Sequence, residues 1–380
     1  MRKLRIGFLS TANIGRSNWK AIFNSGNCVV SAVASRDTKK SREFIRACQR
    51  EFPFEKIPDA LGDYNELLSS PNVDAVYIPL PTALRKEFVI RAAQNGKHVV
   101  CEKPCAISAA DLDEMVSACR KHGVQFMDGV MFMHSPRLAR VRQVLNDGKS
   151  VGEVRRISSA FSFYSGEKFF KNNIRVDGAL EPAGSLGDLG WYCLRFALWA
   201  MNWKMPRSVS GKILSQSPRL KNRTAAPTEF FGELVFDDNR SAGFYCTFLA
   251  GFQEWVHVSG RNGWLRLPDF VHPFDSYAPA FEVNRKEIRV PGGAKCPPGM
   301  DPMRQGHRTA QDARMFRNFA NQVFSGTLNS DWPMWALKTQ RVMDACLESA
   351  RRGCLLGSYV ASRPGAVPDY DERIKAALEI

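Results

Sequence analysis

The first third of the chain alternates short apolar runs with helix-period segments, and that alternation constrains the fold more than any other feature. Strands buried on both faces read as unbroken Val/Ile/Leu runs, and the helices between them supply the crossovers that a parallel sheet requires. The pattern predicts strands over residues 4–10, 28–35, 73–79, 98–102 and 125–129, with a short one near 56–58. Phe88, Ala92 and Ala93 mark one intervening helix that stops at Gly96, and Ser108-Ala109-Ala110-Asp111 is a capping signal for a helix over 112–122. The expectation is a doubly wound, Rossmann-type α/β domain over residues 1–130.

After Gly129 the pattern changes. A helix-like stretch over 136–147 is followed by strand patterns over 155–164, 209–214, 230–236, 242–249, 255–259 and 263–267. Asp237-Asp238-Asn239-Arg240 reads as a hairpin turn between two of them. Strands joined in succession by turns make a sheet that is mainly antiparallel. Residues 131–380 are therefore expected to form a second, α+β domain with a large open sheet. Phe316, Phe319, Ala320 and Val323 form an apolar helical stripe, expected to pack on that sheet, and another helical pattern runs over 334–351. The Pro- and Gly-rich stretch 268–302 reads as loop. A chain of 380 residues accommodates two such domains.

Composition narrows the partners. Hydrophobic residues at 44% and charged residues at 24% are those of a soluble globular protein, and no apolar run approaches the ~18 residues of a membrane span. The apolar run 4–9 after Met1-Arg2-Lys3 is too short for a signal peptide and reads as the first strand. Ten cysteines show no Cys-x-x-Cys pair and no metal-ligand spacing with histidine, and Cys28, Cys101, Cys193 and Cys246 fall in apolar stretches, as reduced core cysteines do. A cytoplasmic protein without a metal is expected. The net charge of +15 is spread along the chain rather than gathered in a stripe, which argues against nucleic acid and fits an anionic cofactor.

The run His98-Val99-Val100-Cys101 ends in Glu102-Lys103-Pro104. Proline cannot donate a strand hydrogen bond, and a lysine at the mouth of a parallel sheet must be paired or desolvated. Ligands of open α/β sheets bind at those strand ends, where a lysine can polarise a substrate oxygen or lower the pKa of a neighbouring hydroxyl. Farther on, Asp188 and Tyr192 are four residues apart at the opening of an apolar helix over 189–201, which places them on one helical face, and glycines at 184, 187 and 190 permit a sharp entry.

The segment Gly96-Lys97-His98-Val99-Val100-Cys101-Glu102-Lys103-Pro104 resembles the Gfo/Idh/MocA family, named for glucose–fructose oxidoreductase and inositol dehydrogenase. Arg5-Ile6-Gly7-Phe8-Leu9-Ser10 and Val76-Tyr77-Ile78-Pro79-Leu80-Pro81 are similar to its first and fourth strands, and Gly184-Ser185-Leu186-Gly187-Asp188-Leu189-Gly190-Trp191-Tyr192 to its second catalytic motif. The resemblance implies reversible hydride transfer between nicotinamide and the carbinol or carbonyl carbon of a sugar, polyol or dihydrodiol-like substrate. It further implies Tyr192 as the proton-transfer residue, Lys103 as the cation that lowers its pKa, and Asp188 as the group that orients Lys103 or binds a substrate hydroxyl. His134 and Tyr164 are the substrate-side candidates. The same fold also serves non-catalytic nucleotide-binding regulators and nucleotide-assisted glycosidases, which are the alternative readings.

For the cofactor, Ser10-Thr11-Ala12-Asn13-Ile14-Gly15 stands where the fingerprint G-x-G-x-x-G would, with only its third glycine kept. Ser35-Arg36 closes the second strand 21 residues after Gly15; an arginine there suits the 2′-phosphate of NADP, whereas Asp37 facing the ribose would admit NAD. NADP is expected, with NAD possible. Pro79, Leu80 and Pro81 are expected to run past the nicotinamide ribose, with Glu102 and Lys103 beside them, and Arg85 occupies the place of a histidine usual in the family. Phenylalanines at 161, 163, 230, 231, 236, 244 and 248 lead to the expectation of a homodimer, or a higher homo-oligomer, across the open sheet.

Overall fold

The computed structural model describes residues 2–218, 224–303 and 305–353, and the backbone of 356–357. Its first sheet holds six parallel strands: β1 (Leu4–Leu9), β2 (Cys28–Ala34), β3 (Asp59–Leu61), β4 (Ala75–Ile78), β5 (His98–Cys101) and β6 (Phe126–Asp128). The order is β3-β2-β1-β4-β5-β6. Chain direction across the sheet reverses between β1 and β4, and the crevice at that reversal is where such sheets bind nucleotides. Helices α1 (Ile14–Ser25), α2 (Thr38–Glu51), α3 (Tyr64–Ser69), α4 (Thr82–Gln94) and α5 (Ala109–Lys121) are the crossovers. The capping signal acts as read: the Ser108 hydroxyl accepts from the Asp111 amide at 3.1 Å. The short strand near 56–58 forms slightly later, at Asp59–Leu61.

Helix α6 (Pro136–Asn146) leads into the second sheet, built from β7 (Val154–Ser162), β8 (Ser208–Gln216), β9 (Pro227–Val235), β10 (Ser241–Thr247), β11 (Gln253–Gly260), β12 (Trp264–Leu267), β13 (Ala280–Val283), β14 (Lys286–Arg289) and β15 (Leu356–Gly357). The order is β14-β13-β12-β11-β7-β10-β9-β8-β15. Every pairing is antiparallel except β7 with β10. The turn between β9 and β10 places Asp238 and Asn239 at φ of 61° and 57°, the left-handed conformation that Asp and Asn tolerate best. Between β7 and β8 lie α7 (Glu167–Asn172) and α8 (Trp191–Ala200); α9 (Gln311–Phe324) and α10 (Asp331–Arg352) close the described chain.

Two expectations are corrected. Residues 268–302 are not all loop, because they contain the β13–β14 hairpin, turned by Asn284 and Arg285 at φ of 48° and 70°. The alternation of Ala280-Phe281-Glu282-Val283 ahead of that asparagine is a hairpin signal that the surrounding Pro and Gly content masks. The stripe on α9 does not pack on the second sheet. Phe316, Phe319 and Ala320 join Leu4, Ile6, Phe8 and Trp19 in the core of the first domain. Periodicity marks the face of a helix that will be buried, but not which partner buries it. It is α10 that lies along β8, with α8 beside it, and their face of the second sheet shares one core with Val99, Cys101 and Val76 of the first.

Candidate active site

The turn after β1 sets one end of the site. Ser10 sits at φ 132°, a conformation that favours glycine, and its hydroxyl accepts from the Ala12 amide at 3.2 Å. A Cβ at Gly15 would lie 3.1 Å from the Phe44 ring of α2 and 3.5 Å from the Phe8 ring of β1, so glycine lets α1 pack closely against both. Side chains of Asp37, Asp63 and Ser108 cap α2, α3 and α5, whereas α1 has no side-chain cap. The Gly15 and Arg16 amides donate to the Ala12 and Asn13 carbonyls at 2.9 and 3.0 Å, which leaves the amides of Asn13 and Ile14 at the helix start to meet an anion.

From this turn a cavity of about 780 Å³ runs along the ends of β1, β4 and β5 to the second sheet. Ala12, Asn13 and Ile14 line its near end, Pro79, Leu80 and Glu102 its middle, and Lys103, Asp188 and Tyr192 its far end. The Glu102 carboxylate accepts from the Tyr77 hydroxyl at 2.7 Å, and Tyr77 in turn accepts from Asn18 at 2.6 Å. Arg85 is buried and committed to backbone: it donates to the Leu80 carbonyl at 2.7 Å, to that of Glu102 at 2.8 Å and to that of Pro104. It staples the two loops that form the middle of the cavity.

The second catalytic-type motif enters through one π-helical turn, Leu186–Gly190, before α8 begins. Gly184, at φ 47°, could not carry a side chain because the Pro227 carbonyl oxygen occupies that space, and Gly187 brings the turn against the Pro104 ring. The turn delivers Asp188 to Lys103. Lys103 Nζ donates to Asp188 Oδ1 and to its carbonyl oxygen, both at 2.7 Å, while Arg175 Nε lies 2.9 Å from Oδ2. Burial alone would raise the Asp188 pKa, but Arg175 and Lys103 override it and hold the carboxyl well below the usual range. The Lys103 ammonium also lies 4.7 Å from the centre of the Tyr192 ring.

The cation thus meets the ring face rather than the hydroxyl, whose contact is Met131 Sδ at 3.9 Å. Burial, with Glu102 and Asp188 adding to it, pushes the phenol pKa well above its ordinary value. This reverses the expected lowering. Spacing places Tyr192 beside Lys103 but does not reveal the carboxylates around the ring.

Other residues fall outside this group. Tyr164 is 71% exposed and does not line the cavity. His134 lines a smaller surface cavity, with Nδ1 3.1 Å from Asn318 Nδ2, and burial together with Arg195 lowers its pKa to about 4. Ser10, Thr11, Gly15, Ser35, Arg36 and Pro81 also lie outside the cavity wall. The Ser35 hydroxyl donates to the Asp37 carbonyl at 2.6 Å, so it is already engaged. The Asp37 carboxylate caps α2 through the Lys39 amide at 2.8 Å, while Arg36 is exposed at the end of β2.

Four residues of the site escape sequence reading. Arg175 grips Asp188, and Glu181 caps α4 from the other domain, accepting from the Thr82 amide at 3.0 Å and the Thr82 hydroxyl at 2.5 Å. His272, from the stretch read as loop, lines the cavity and is hydrogen-bonded to the buried Glu254 on β11 behind it. Each is isolated in sequence from the groups it meets, and only Glu181 and Arg175 lie near a motif.

A dinucleotide-type turn joined by one cavity to a lysine–aspartate–tyrosine cluster is mirrored by the family comparison. Residues 4–130 match the model of an oxidoreductase family with an NAD-binding Rossmann fold, and residues 138–266 match the Gfo/Idh/MocA C-terminal domain. The chain belongs to the Gfo/Idh/MocA oxidoreductase family. It is therefore an NAD(P)-dependent oxidoreductase. Among relatives, it is 28% identical to the trans-1,2-dihydrobenzene-1,2-diol dehydrogenase of Xenopus laevis over 242 residues, 64% of this chain and 68% of that one. Among solved structures, a 3-ketoreductase from Actinomadura kijaniata with NADP and TDP-benzene superposes with a TM-score of 0.77 at 23% identity, covering 92% of this chain and 98% of the other. An aldose-aldose oxidoreductase from Caulobacter crescentus gives 0.77 at 22% identity, covering 94% and 100%. At that identity the two structures share the Gfo/Idh/MocA fold with this chain.

Proposed function

We propose that the protein catalyses NADP-dependent hydride transfer to or from a carbinol or carbonyl carbon of a sugar, polyol or dihydrodiol-like substrate. The observation that carries this reading is the Lys103–Asp188–Tyr192 cluster at the far end of a cavity that begins at an uncapped helix terminus. That terminus, the Ser10–Gly15 turn and the Pro79–Leu80 loop fit a dinucleotide: small residues admit the pyrophosphate, and the amides of Asn13 and Ile14 at the cavity wall would meet its charge. When bound, the nicotinamide supplies or accepts the hydride. Arg36 supports NADP over NAD, because its guanidinium is exposed at the end of β2 while the Asp37 carboxylate is engaged in capping α2.

Asp188 stays ionised and fixes the Lys103 ammonium, whose remaining N–H is available to polarise a substrate oxygen. Tyr192, held protonated by its surroundings, is matched to giving a proton to the alkoxide oxygen formed when a carbonyl is reduced. The protonated phenol is the form that carbonyl reduction requires, and the same group receives the proton back in the reverse reaction. The names of the relatives, a dihydrodiol dehydrogenase and two enzymes of sugar chemistry, support the substrate class. The test is NADPH consumption by the purified chain over a panel of aldoses, ketoses and dicarbonyls, with NADH in parallel. Consumption with none of them, under conditions where NADPH binds, would overturn the reading in favour of a non-catalytic binder.

A further inference from the structure

Hydride and proton transfer assign no role to one residue of the cavity wall, His272, or to the buried Glu254 that holds it. Glu254 projects from β11 toward the core, and its side chain is wholly shielded from solvent. A carboxylate withdrawn from water is costly unless its oxygens are satisfied. One residue satisfies both. The His272 backbone amide donates to Oε1 at 2.9 Å, and the His272 ring Nδ1 lies 2.8 Å from Oε2. An ionised carboxylate can only accept, so the proton of a neutral ring sits on Nδ1 and Nε2 is left as an acceptor.

The pair is held rigidly. The backbone around His272 is fixed by Asp269, whose carboxylate forms a buried ion pair with Arg137 at 2.5 Å and accepts from the Phe274 amide at 2.6 Å. The carbonyl of Val271, the residue just before the histidine, accepts from Gln311 at 2.5 Å. The His272 ring, 38% exposed, forms part of the cavity wall, and among the described residues Nε2 has no protein partner. Phe161 lies between the two proton-carrying side chains, its ring 6.2 Å from that of His272 and 5.6 Å from that of Tyr192. The pair and Tyr192 thus share Phe161 as a neighbour, and the Glu254 charge adds to the raised Tyr192 pKa.

We propose that His272 binds a hydroxyl of the substrate other than the one that reacts, and that Glu254 is the positioning residue that fixes the ring tautomer. This rests on the oxidoreductase reading and specifies its substrate: a polyhydroxylated compound, in which a second hydroxyl donates to Nε2. A site built to hydrogen-bond a hydroxyl discriminates against an analogue lacking it, because its own polar atom is then left unpaired.

The test uses the full chain with NADP⁺ and a matched pair of probes, trans-1,2-cyclohexanediol and cyclohexanol. The parent should prefer the diol in kcat/KM by about 10- to 100-fold, the range of one hydrogen bond in a partly desolvated site. His272→Ala should collapse that ratio to within about threefold, chiefly through KM for the diol, and His272→Gln, whose amide can still accept, should restore part of it. Glu254→Gln replaces an acceptor by a donor opposite Nδ1, so the ring proton should move to Nε2, as ¹⁵N chemical shifts of the ring would show, and the diol preference should fall with it through KM, which a merely structural role would not produce. Equal use of both probes by the parent, or an unchanged preference in His272→Ala, would overturn the inference. Calorimetric titration of the NADP⁺ complex with the diol separates the two levels. Diol binding that His272→Ala loses, in a protein without turnover, would support the inference while the oxidoreductase reading failed, and no diol binding by the parent would overturn the inference.

Discussion

Lys103, Asp188 and Tyr192 form a unit in which each side chain depends on the next. Asp188 receives two cations, one on each oxygen, and Lys103 reaches Tyr192 through the ring face. Tyr192→Phe should reduce turnover by roughly 10²–10⁴, the usual contribution of a positioned acid, with NADPH affinity retained. Lys103→Met should cost as much, and the double variant scarcely more than either single one, because groups that act as a unit are strongly non-additive. Steady-state rates on a substrate identified by the panel check this, and multiplicative losses would assign the two residues to separate steps. At the other end of the cofactor, Arg36→Ala should weaken NADPH by about 1.5–3 kcal/mol and leave NADH nearly untouched. Calorimetry with both nucleotides reads it directly; equal affinities in the parent would mean that Arg36 does not read the ribose.

Elements are locked to one another by buried charged groups that no local pattern announces. Arg137 on α6 donates to the Asp269 carboxylate and carbonyl and to the Ala280 carbonyl, which pins residues 269–280 to the helix. Arg137→Met would leave the Asp269 charge buried without its partner, and should lower unfolding free energy by about 3–5 kcal/mol in urea titrations. Asp344 on α10 reaches across to the start of α5, accepting from the Ala109 amide at 2.6 Å and from Gln340 at 2.8 Å. Burial raises its pKa to about 7 from 3.8. Between those values the folded chain holds a proton that the unfolded chain has released, so the stability it confers is full below about pH 4 and declines as pH rises to about 7. Asp344→Asn removes that dependence, since its amide can meet Gln340 with the Gln340 amide turned over. Relative to the parent, the variant should gain about 2 kcal/mol of stability between pH 5.5 and pH 8.5. Denaturation curves at the two pH values check it; a difference that does not change with pH would mean that Asp344 is ionised throughout.

Across the whole molecule, α8 and α10 cover one face of the second sheet and leave the other open. Of the seven phenylalanines expected to mark an interface, Phe161, Phe230, Phe236, Phe244 and Phe248 are buried and Phe163 is half-buried, so Phe231, at 41% exposure, alone represents them on the open side. Strand register supplies companions that the phenylalanine pattern omits. Phe231, Tyr245, Ala160 and Trp255 are successive cross-strand neighbours over β9, β10, β7 and β11, and Trp264 stacks on His257 beside them. We propose that this row is the homodimer contact. Light scattering at micromolar concentration should give twice the chain mass of 42.6 kDa, and Phe231→Glu with Trp255→Glu should return the monomer. A monomeric parent would sink the proposal.

The sequence by itself determined what depends on local periodicity and on motifs contiguous in the chain. Burial on both faces requires unbroken apolar runs, so β1, β2, β4 and β5 stand within two residues of their predicted ends. Lys103, Asp188 and Tyr192 were legible because the contiguous motifs that hold them resemble those of the Gfo/Idh/MocA family; the glycines and proline beside them are the backbone requirements within those motifs. Tertiary structure alone decided which surface buries α9, because an amphipathic stripe carries no address. It also decided that Tyr192 is held protonated, since the carboxylates of Glu102 and Asp188 and the depth of burial are properties of the assembled cavity. Arg175, Glu181, Glu254 and His272 belong to the site only because strands and loops remote in sequence converge there, and a side chain that gains its role from a distant partner leaves no periodicity to read.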